Sequence, residues 1–426
     1  MKTTEDQGRY DRFRNEVMAG GSVTEGPPAE TESGGWSGAL AGLVILGLLV
    51  WLAVVNIWMF AFAVGILISV FLHELGHFAT ARMTGMKATQ FFLGFGPRLW
   101  SFQRGETEYG VRALPLGAFV RIIGMNNMDE VPPADEARTY RQQSYPRRLL
   151  VISAGSLMHL LIAVVLLFAI FSTRGELVER PGAEIGVVED GGPAARAGLE
   201  SGDVILSIAG TPIEDPTALG ETVRAHQPGD EVTVVLERDG EQQTVTAQLG
   251  ENTEQGSSLL GTARLGVSSR TPTDWREMSI GAAAVNSVTN VVPVTWESTK
   301  GIVEVLNPVN IVNHLTGESD DPATRPTTVV GVTQVSGTVG ETQGFVGVLY
   351  LLAALNVFVG VFNMFPLLPL DGGHAAVATY ERVRERGGRR YFADVSKLMP
   401  FAMGVIMVLL LLFMSGLYLD ITQPLR

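Results

Sequence analysis

Apolar residues in this chain are gathered into long stretches, and these stretches limit the possible folds more than any other feature. Residues 37–80 are almost free of charge, and further apolar stretches cover about 149–171, 344–370 and 399–419. Each is long enough for a helix of roughly 20 residues, the length that crosses a bilayer. As one helix, the first stretch would extend about 66 Å, twice the roughly 30 Å of the hydrocarbon core. Dividing it near Asn56 predicts five spans in all, and a single long tilted helix is the alternative.

The remaining sequence is polar enough to face water. The chain has 426 residues, of which 46% are hydrophobic and 18% are charged. Residues 1–36 are rich in Gly, Pro, Ser, Thr and Glu, which predicts a disordered cytoplasmic tail. Its length and acidity do not match the short basic start of a secretory signal. The chain has no cysteine, which excludes disulfides and thiolate ligands and leaves His and carboxylate groups as the strong zinc ligands.

The distribution of charge predicts the orientation in the membrane, because cytoplasmic loops carry an excess of Lys and Arg. The segment 82–148 holds ten basic residues and the short segment 382–397 holds six, which places both on the cytoplasmic side. Residues 173–255 hold five arginines, no lysine and seventeen acidic residues, which predicts an extracytoplasmic location. We therefore expect a multi-pass protein of the plasma membrane. The net charge of −13 argues against nucleic acid as a partner.

The string His73-Glu74-Leu-Gly-His77 lies at the end of the first long apolar stretch. In a helix, His73 and His77 share one face about one turn apart, so both rings can bind a single zinc ion. Glu74 lies beside them and is free to accept a proton from water that the ion activates. The same pattern arises by chance in soluble helices. Within a membrane span, where ionisable groups are costly and rare, a functional site is the better interpretation.

A second polar string, from Asn363 to His374, lies near the end of the fourth predicted span. Pro366 and Pro369 cannot continue a regular helix, so the backbone opens there and presents Asp371. Counted along the two helices, Asp371 and the histidine pair reach a similar depth near the inner side of the hydrocarbon core, which favours a shared ion. Asp-Gly is also a common turn sequence, so the alternative interpretation is that Asp371 only forms a turn. For His374 we expect a supporting or structural role rather than metal ligation.

Together these motifs resemble the site-2 protease family of intramembrane zinc metalloproteases, above all the bacterial members with a PDZ domain that act in regulated intramembrane proteolysis. Besides the two strings, the similarity rests on Gly94–Trp100, Pro115–Val120 and Gly155 in the third span, all in family order. Two features depart from the family pattern. The third span has Ser156 and His159 where members often have Pro and then Asn, and the leading helix is additional to the usual four-span core.

The resemblance implies a role for each of the candidate site residues. It implies that His73, His77 and Asp371 hold Zn²⁺. It also implies that Glu74 acts as general base and then general acid, and that Asn363 lies near the substrate backbone or the oxyanion. The family suggests anti-sigma factors or similar single-span membrane proteins as substrates.

The segment from Glu106 to Ile123 alternates polar and apolar residues around its Pro and Gly, which predicts a hairpin. In the resembled family, the corresponding segment is a membrane-associated β-loop. A substrate helix must unwind before cleavage, and its freed backbone groups then need new partners. The resemblance implies that Leu116, Gly117 and Ala118 clamp the unwound peptide by strand addition. A plain cytoplasmic hairpin is the alternative.

The acidic region between the third and fourth spans has β-like runs from 183 to 250, and Gly191–Leu206 resembles the bacterial PDZ signature. PDZ domains bind extended chain ends by adding a strand to a sheet edge. This domain could therefore capture a trimmed substrate end or exclude substrates that are still bulky, and a simple spacer is the third possibility. Residues 275–315 mix apolar and polar side chains, which predicts an amphipathic segment on the membrane surface.

The sequence thus predicts a polytopic α-helical membrane protein with about five spans, a membrane-associated β-hairpin and an inserted extracytoplasmic PDZ domain of α+β type. The expected regions are the tail (1–36), the leading helix through the third span (37–172), the PDZ domain (173–268), the surface segment and loop (269–342), and the C-terminal membrane core (343–426). The expected function is a zinc endopeptidase that cleaves the transmembrane segment of a single-span regulator near the cytoplasmic side. The alternative is a non-catalytic PDZ-bearing adaptor, but a structural metal usually has four protein ligands and needs no base.

Overall fold

The computed structural model describes residues 36–125, 129–253, 259–319, 321, 324–385 and 389–424. The predicted tail therefore lies outside the described residues, apart from Trp36, which begins a helix. Internal contacts divide the chain into two compact units, one of which is Phe171–Ile280 and the other of which comprises the two flanking parts. We call the first the β unit and the second the membrane unit.

The described ranges contain both helices and strands, numbered in chain order. The helices are α1 (Trp36–Val55), α2 (Ile57–Met83), α3 (Tyr145–Thr173), α4 (Pro193–Arg196), α5 (Pro216–Arg224), α6 (Ile280–Thr289), α7 (Val291–Val305), α8 (Pro308–Thr316), α9 (Val329–Asn363), α10 (Asp371–Arg384) and α11 (Met399–Thr422). The strands are β1 (Ala88–Arg104), β2 (Thr107–Ile122), β3 (Glu176–Glu179), β4 (Ala183–Val188), β5 (Val204–Ile208), β6 (Thr211–Pro212), β7 (Glu231–Arg238), β8 (Glu241–Gln248), β9 (Gly250–Glu251), β10 (Ala263–Arg264), β11 (Val267–Arg270) and β12 (Thr273–Arg276).

Within the described residues, four helices are long and apolar enough to cross a membrane. They are α2, α3, α9 and α11, the last with the short turn before it, so that the span covers Ser396–Thr422. Helix α1 is also apolar, and it ends one residue before Asn56. The Asn56 side chain accepts hydrogen bonds from the backbone N–H groups of Trp58 and Met59, which is the arrangement of a helix N-cap. The chain therefore starts a new helix at the position where the sequence suggested a division.

Helix α9 begins earlier than the predicted start of the C-terminal membrane core at residue 343. It runs from Val329 to Asn363, with a break at Gly344, whose φ of 64° and ψ of −156° are not helical. Its first turn is held by Asp420 of α11, which accepts hydrogen bonds from the backbone N–H of Thr328 at 2.9 Å and of Gly331 at 3.1 Å. The predicted surface segment of 269–342 thus contains a strand, three short helices and the first part of α9.

Strands β1 and β2 form an antiparallel hairpin, but the sequence placed its turn wrongly. The chain turns at Gly105 rather than around residues 115–117, and both halves of β2 are registered with β1. Residues 118–122 pair with 88–93, and residues 107–111 pair with 100–104. The prediction failed because glycines bend β1 between these pairings: Gly94 and Gly96 have φ angles of 87° and 77°, which side chains rarely allow.

One apolar cluster joins the elements that surround the two sequence motifs. It contains residues from the end of α2, from both strands of the hairpin, from the start of α3 and from α10, including Phe78, Ala81, Phe91, Val120, Val151 and Ala375. Because buried side chains of this kind are close-packed, the cluster fixes the relative positions of these elements. The segments that carry the two polar strings are therefore held next to one another.

The β unit has a six-stranded antiparallel sheet with the order β11-β4-β5-β7-β8, in which β6 pairs with β5. Helix α5 packs on an apolar core that includes Ile185, Ile205, Val234, Leu236 and Leu219. The unit extends beyond the predicted boundary at residue 268, because β11 pairs with β4 up to Arg270 and β12 pairs with β3. These two pairings were not visible in the sequence, since strands of four residues show little periodicity.

Candidate metal centre

The two motif histidines lie on one face of α2, four residues apart. Their Nε2 atoms are 3.2 Å apart, and each residue is only 8% exposed. The helix continues to Met83, six residues after His77, so both rings project from regular helix. This arrangement follows directly from the helical period.

Asp371 reaches the same point from the other end of the chain. Helix α9 ends at Asn363, the prolines interrupt the helix, and Asp371 is the first residue of α10. Its Oδ2 atom lies 3.2 Å from Nε2 of His77 and 3.6 Å from Nε2 of His73. One ligand atom from each of these three residues lies within 4.8 Å of the others. The structure thus brings together all three sequence-predicted metal ligands.

The separations of the three donor atoms fit a tetrahedral zinc site. Donors bound at about 2.0–2.1 Å with tetrahedral angles would be about 3.3 Å apart. The observed separations are 3.2, 3.2 and 3.6 Å. Two imidazole nitrogens and one carboxylate oxygen are also the ligand types that zinc accepts. The donor set and its spacing therefore fit the ion.

Gly155 of α3 leaves the space in which the three donors meet. A Cβ atom at this position would lie 2.4 Å from Nε2 of His77 and 2.5 Å from Nε2 of His73, closer than real contacts allow. No other residue fits at position 155 without displacing the rings. The sequence pattern identified this glycine, but only the structure gives the reason for it.

A backbone carbonyl fixes the proton of His77. Nδ1 of His77 lies 2.7 Å from the carbonyl oxygen of Val151, one turn before Gly155 in α3. Because a carbonyl oxygen can only accept, Nδ1 carries the hydrogen and Nε2 keeps its lone pair directed at the donor cluster. This outer hydrogen bond is typical of zinc-binding histidines.

Asn363 contacts the metal-binding residues rather than open space. Its Nδ2 atom donates to Oδ2 of Asp371 at 2.6 Å and lies 3.4 Å from Nε2 of His73. The resemblance implied a position near the substrate backbone. In the structure, the side chain restrains the carboxylate that follows the proline interruption.

Glu74 lies at the edge of the same cluster and faces the hairpin. Its Oε1 atom is 3.9 Å from Nε2 of His73, and its Oε2 atom accepts a hydrogen bond from the backbone N–H of Val120 at 3.1 Å. This contact places the edge of β2 beside the carboxylate. Of the predicted clamp residues, Ala118 is buried two residues before Val120, and the side chain of Leu116 lies outside the described residues.

The third predicted clamp residue, Gly117, is explained by packing. A Cβ atom there would lie 2.8 Å from the ring of Phe95, which covers this point of the strand. The glycine therefore allows the two strands of the hairpin to approach one another.

Sequence reasoning missed a hydrogen-bonded network of polar side chains beside His73. The ring of His159 on α3 lies 4.9 Å from the ring of His73, and its Nδ1 atom is 2.8 Å from Oδ1 of Asn356 on α9. Nδ2 of Asn356 donates to Oγ of Ser69 on α2 and to the carbonyl of Leu352. This network links the three membrane helices α2, α3 and α9. The available signal was Asn356 itself, a polar residue inside an apolar stretch.

Long apolar helices that enclose a zinc-type donor set with an adjacent carboxylate define the class of the membrane metalloproteases. A family model described as Peptidase family M50 matches residues 61–410. The chain belongs to this family, the site-2 protease family, and it is a zinc metalloprotease of the membrane. The resemblance to the site-2 protease family and the zinc cofactor, both expected from the sequence, are confirmed. The match to a protease family does not support the alternative of a non-catalytic adaptor.

Two relatives and one solved structure illustrate the similarity. Zinc metalloprotease Rip1 of Mycobacterium tuberculosis is 34% identical over 398 residues, which cover 86% of this chain and 97% of that protein. A putative zinc metalloprotease of Nostoc sp. is 32% identical over 324 residues, 74% of this chain and 84% of its own. The PDZ domain of the SdrC-like protein from Listeria monocytogenes matches 22% of this chain and 90% of its own length, with 22% identity and a TM-score of 0.19.

Proposed function

We propose that this protease hydrolyses a peptide bond in the transmembrane segment of a single-span membrane regulator, such as an anti-sigma factor, in regulated intramembrane proteolysis. One observation carries the proposal. Three metal-type donors and a carboxylate converge among helices long enough to cross a membrane, next to the edge of a β-strand. A site of this kind serves substrates whose backbone is within the bilayer.

In this proposal His73, His77 and Asp371 hold the zinc ion, and Asn363 orients the carboxylate of Asp371. When bound, zinc supplies Lewis-acid chemistry, since it lowers the pKa of water to about 7 and polarises a carbonyl oxygen. Glu74 takes the proton of the attacking water and returns it to the leaving amine. The hydrogen bond from Val120 holds one oxygen of Glu74, which leaves the other free for this task.

The edge of β2 is the proposed binding surface for the unwound substrate. The N–H of Val120 points to Glu74, so it is not used in pairing with β1. Alternate residues of a strand direct their backbone groups to the same edge, and Ala118 therefore faces the same side as Val120. An added substrate strand would satisfy its freed backbone groups there and would pass Glu74. Leu116 and Gly117 continue this surface.

The remaining predictions concern the arrangement of the protein in the membrane. We propose five spans including α1, in the plasma membrane, with the metal centre near the cytoplasmic side and the β unit outside as a PDZ domain. The β unit has a groove of about 500 Å³ between α5 and edge strand β11, lined by Leu219, Val223 and Val267 among others. A groove beside an open strand edge favours capture of an extended chain end over simple exclusion.

The change Glu74→Gln tests the proposed chemistry. We expect cleavage of a single-span substrate by the purified full-length enzyme to fall about 10²- to 10⁴-fold, because the amide cannot accept the proton. Metal analysis should still find zinc, since Glu74 is not among the donors. Glu277→Gln, an exposed change in the β unit, is the matched control. Unchanged cleavage by Glu74→Gln would remove this residue from the mechanism.

The choice of substrate is tested separately. The wild-type enzyme should cut an anti-sigma factor with a single span inside that span, and the cut position is read by mass spectrometry. A cut only in the water-exposed part of the substrate would contradict the proposed intramembrane cleavage.

A further inference from the structure

A pocket of about 480 Å³ lies at the N-terminal end of membrane helix α3, and its lining residues do not include the three metal donors or Glu74. Its walls come from the segment before α3, from the end of α10 and from the segment 389–392. Five arginines line it, with Glu385 as the acidic residue among the lining residues: Arg141, Arg148, Arg382, Arg389 and Arg390. The pocket therefore collects positive charge where a membrane helix begins.

Three of these arginines, Arg141, Arg148 and Arg382, already have carboxylate partners. Arg382 pairs with Glu385 at 2.6 Å, and Arg141 pairs with Glu136 at 2.6 Å. Hydrogen bonds from Arg141 and then from Gln142 lower the pKa of Glu136 to about 2, so this carboxylate stays ionised and its arginine stays neutralised. The charge of these pairs is not available to a ligand.

The other two arginines carry the excess charge. Among the residues that the structure describes, Arg389 and Arg390 have no carboxylate partner, and both are exposed. Nη1 of Arg390 donates to the carbonyl oxygen of Gln142 at 2.7 Å, which fixes the side chain at the pocket without neutralising it. Two uncompensated guanidinium groups therefore face the pocket.

The residues that line the pocket also include a buried arginine with an unpaired N–H group. Arg148 is only 8% exposed, and its Nη2 donates to Glu381 at 2.6 Å. Its Nε is buried and makes no hydrogen bond to any described residue. A buried donor without an acceptor costs roughly 1–3 kcal/mol, so such groups usually have a partner.

We propose that this pocket binds a phosphate group, with an anionic membrane phospholipid as its source. Arginine presents several N–H donors in a planar fork that matches phosphate oxygens. Basic pockets at the ends of membrane helices lie at the level of lipid headgroups, where anionic lipids are attracted. The first turn of α3 adds the partial positive charge of a helix N-terminus. Inorganic phosphate offers the same chemistry from solution.

A ligand here would contact the helix that carries one of the metal donors. Arg382 lies near the end of α10, and the same helix begins at Asp371. The binding itself does not depend on the proposed catalytic roles, and it is measured without any cleavage assay.

The test measures lipid binding by the full-length protein in uncharged detergent micelles. Short-chain phosphatidylglycerol, short-chain phosphatidylcholine and inorganic phosphate are titrated separately by calorimetry. We expect phosphatidylglycerol to bind and the double variant Arg389→Gln/Arg390→Gln to bind it about 25-fold more weakly, a roughly fivefold loss for each cation. Arg82→Gln/Arg104→Gln, which removes the same charge from exposed positions outside the pocket, is the matched control and should bind like the wild type.

The outcomes separate the possible sources of the phosphate. Binding of inorganic phosphate that is lost in the pocket variant, with no further gain from phosphatidylglycerol, would support the phosphate site and assign it a soluble ligand. Equal binding of phosphatidylcholine and phosphatidylglycerol would overturn the proposal. The same holds if the pocket variant and the control variant lose affinity equally, because the effect would then be one of net charge.

Discussion

Asp203 of the β unit and Asp371 of the membrane unit are both carboxylates in polar clusters, but their surroundings are opposite in kind. In the β unit, Asp203 is 1% exposed and both of its oxygens are used: Arg238 donates to them at 2.6 and 2.7 Å, and the N–H of Glu200 donates at 2.9 Å. In the membrane unit, the side chain of Asp371 is 22% exposed, and its Oδ2 atom accepts a hydrogen bond from Asn363 and lies 3.2 and 3.6 Å from Nε2 of His77 and His73. The first carboxylate is held by an arginine and a backbone N–H, whereas the second lies among side chains that can bind a metal ion.

The difference indicates which carboxylate is structural and which is functional. Two imidazole nitrogens and a carboxylate oxygen within 3.2–3.6 Å of one another are the ligand types that zinc accepts, and a bound cation would satisfy all three. A carboxylate that already has an arginine and a backbone N–H needs nothing further. We therefore interpret the convergent set of metal-type ligands as functional and the arginine–carboxylate pair as part of the scaffold.

Replacing Asp371 should produce the largest change in metal binding. Asp371→Ala removes one of the three donors, and we expect zinc affinity to fall by more than about 100-fold, beyond the loss typical for supporting residues. Zinc content of the purified protein and competition with a chelator measure this. Asp190→Ala, an exposed change in the β unit, is the control. Normal zinc content in Asp371→Ala would mean that the third donor is a different residue.

Gly155→Ala tests the space between the donors. The added methyl group would lie 2.4 Å from Nε2 of His77, so the rings must move and we expect zinc binding and cleavage to be lost. Gly404→Ala in α11 is the matched control, because nothing lies within 4 Å of the methyl group there. Alanine favours helix over glycine at both sites, so a general helix effect would stabilise both variants. Retained zinc in Gly155→Ala would contradict the described packing.

Asn363→Ala should have a smaller effect, since this residue supports a donor without being one. Loss of the hydrogen bond to Asp371 should weaken zinc binding about 10- to 100-fold, the range for such partners. The measurement is chelator competition, with Asn310→Ala on α8 as control. If zinc affinity is unchanged while the Michaelis constant for the substrate rises, Asn363 binds substrate instead.

Asp203→Asn should leave zinc binding unchanged and lower only the stability of the β unit. Burial opposes ionisation of Asp203, but the hydrogen bonds from Arg238 outweigh it and hold the pKa of this carboxyl below its usual range. The ion pair therefore stabilises the fold above about pH 4 and stops doing so as the pH falls through the lowered pKa. We expect a loss of about 1–3 kcal/mol at neutral pH, seen as faster hydrogen exchange of the β5 amides in the full-length protein. A change in zinc content would contradict the distinction between a structural Asp203 and a metal-binding Asp371.

Much of the metal centre could be inferred from the sequence, because its parts obey local rules. The spacing of His73 and His77 follows the helical period, and the prolines before Asp371 mark the interruption that presents it. The hairpin turn was misplaced because two glycines bend β1, and pairing register depends on such bends as well as on alternation. The hydrogen-bonded network from His159 through Asn356 to Ser69 was missed, because its members come from three helices and no local sequence pattern links them.

The amino-acid sequence by itself determined that the chain is a membrane protein and which residues could hold a metal, since apolar length and residue type are properties of short segments. The tertiary structure alone decided that the donors meet, that position 155 must be glycine, and that the N–H of Val120 faces Glu74. The reason is physical: the separation of 3.2 Å between Nε2 of His77 and Oδ2 of Asp371 depends on packing between distant segments of the chain, and this packing is a property of the whole fold.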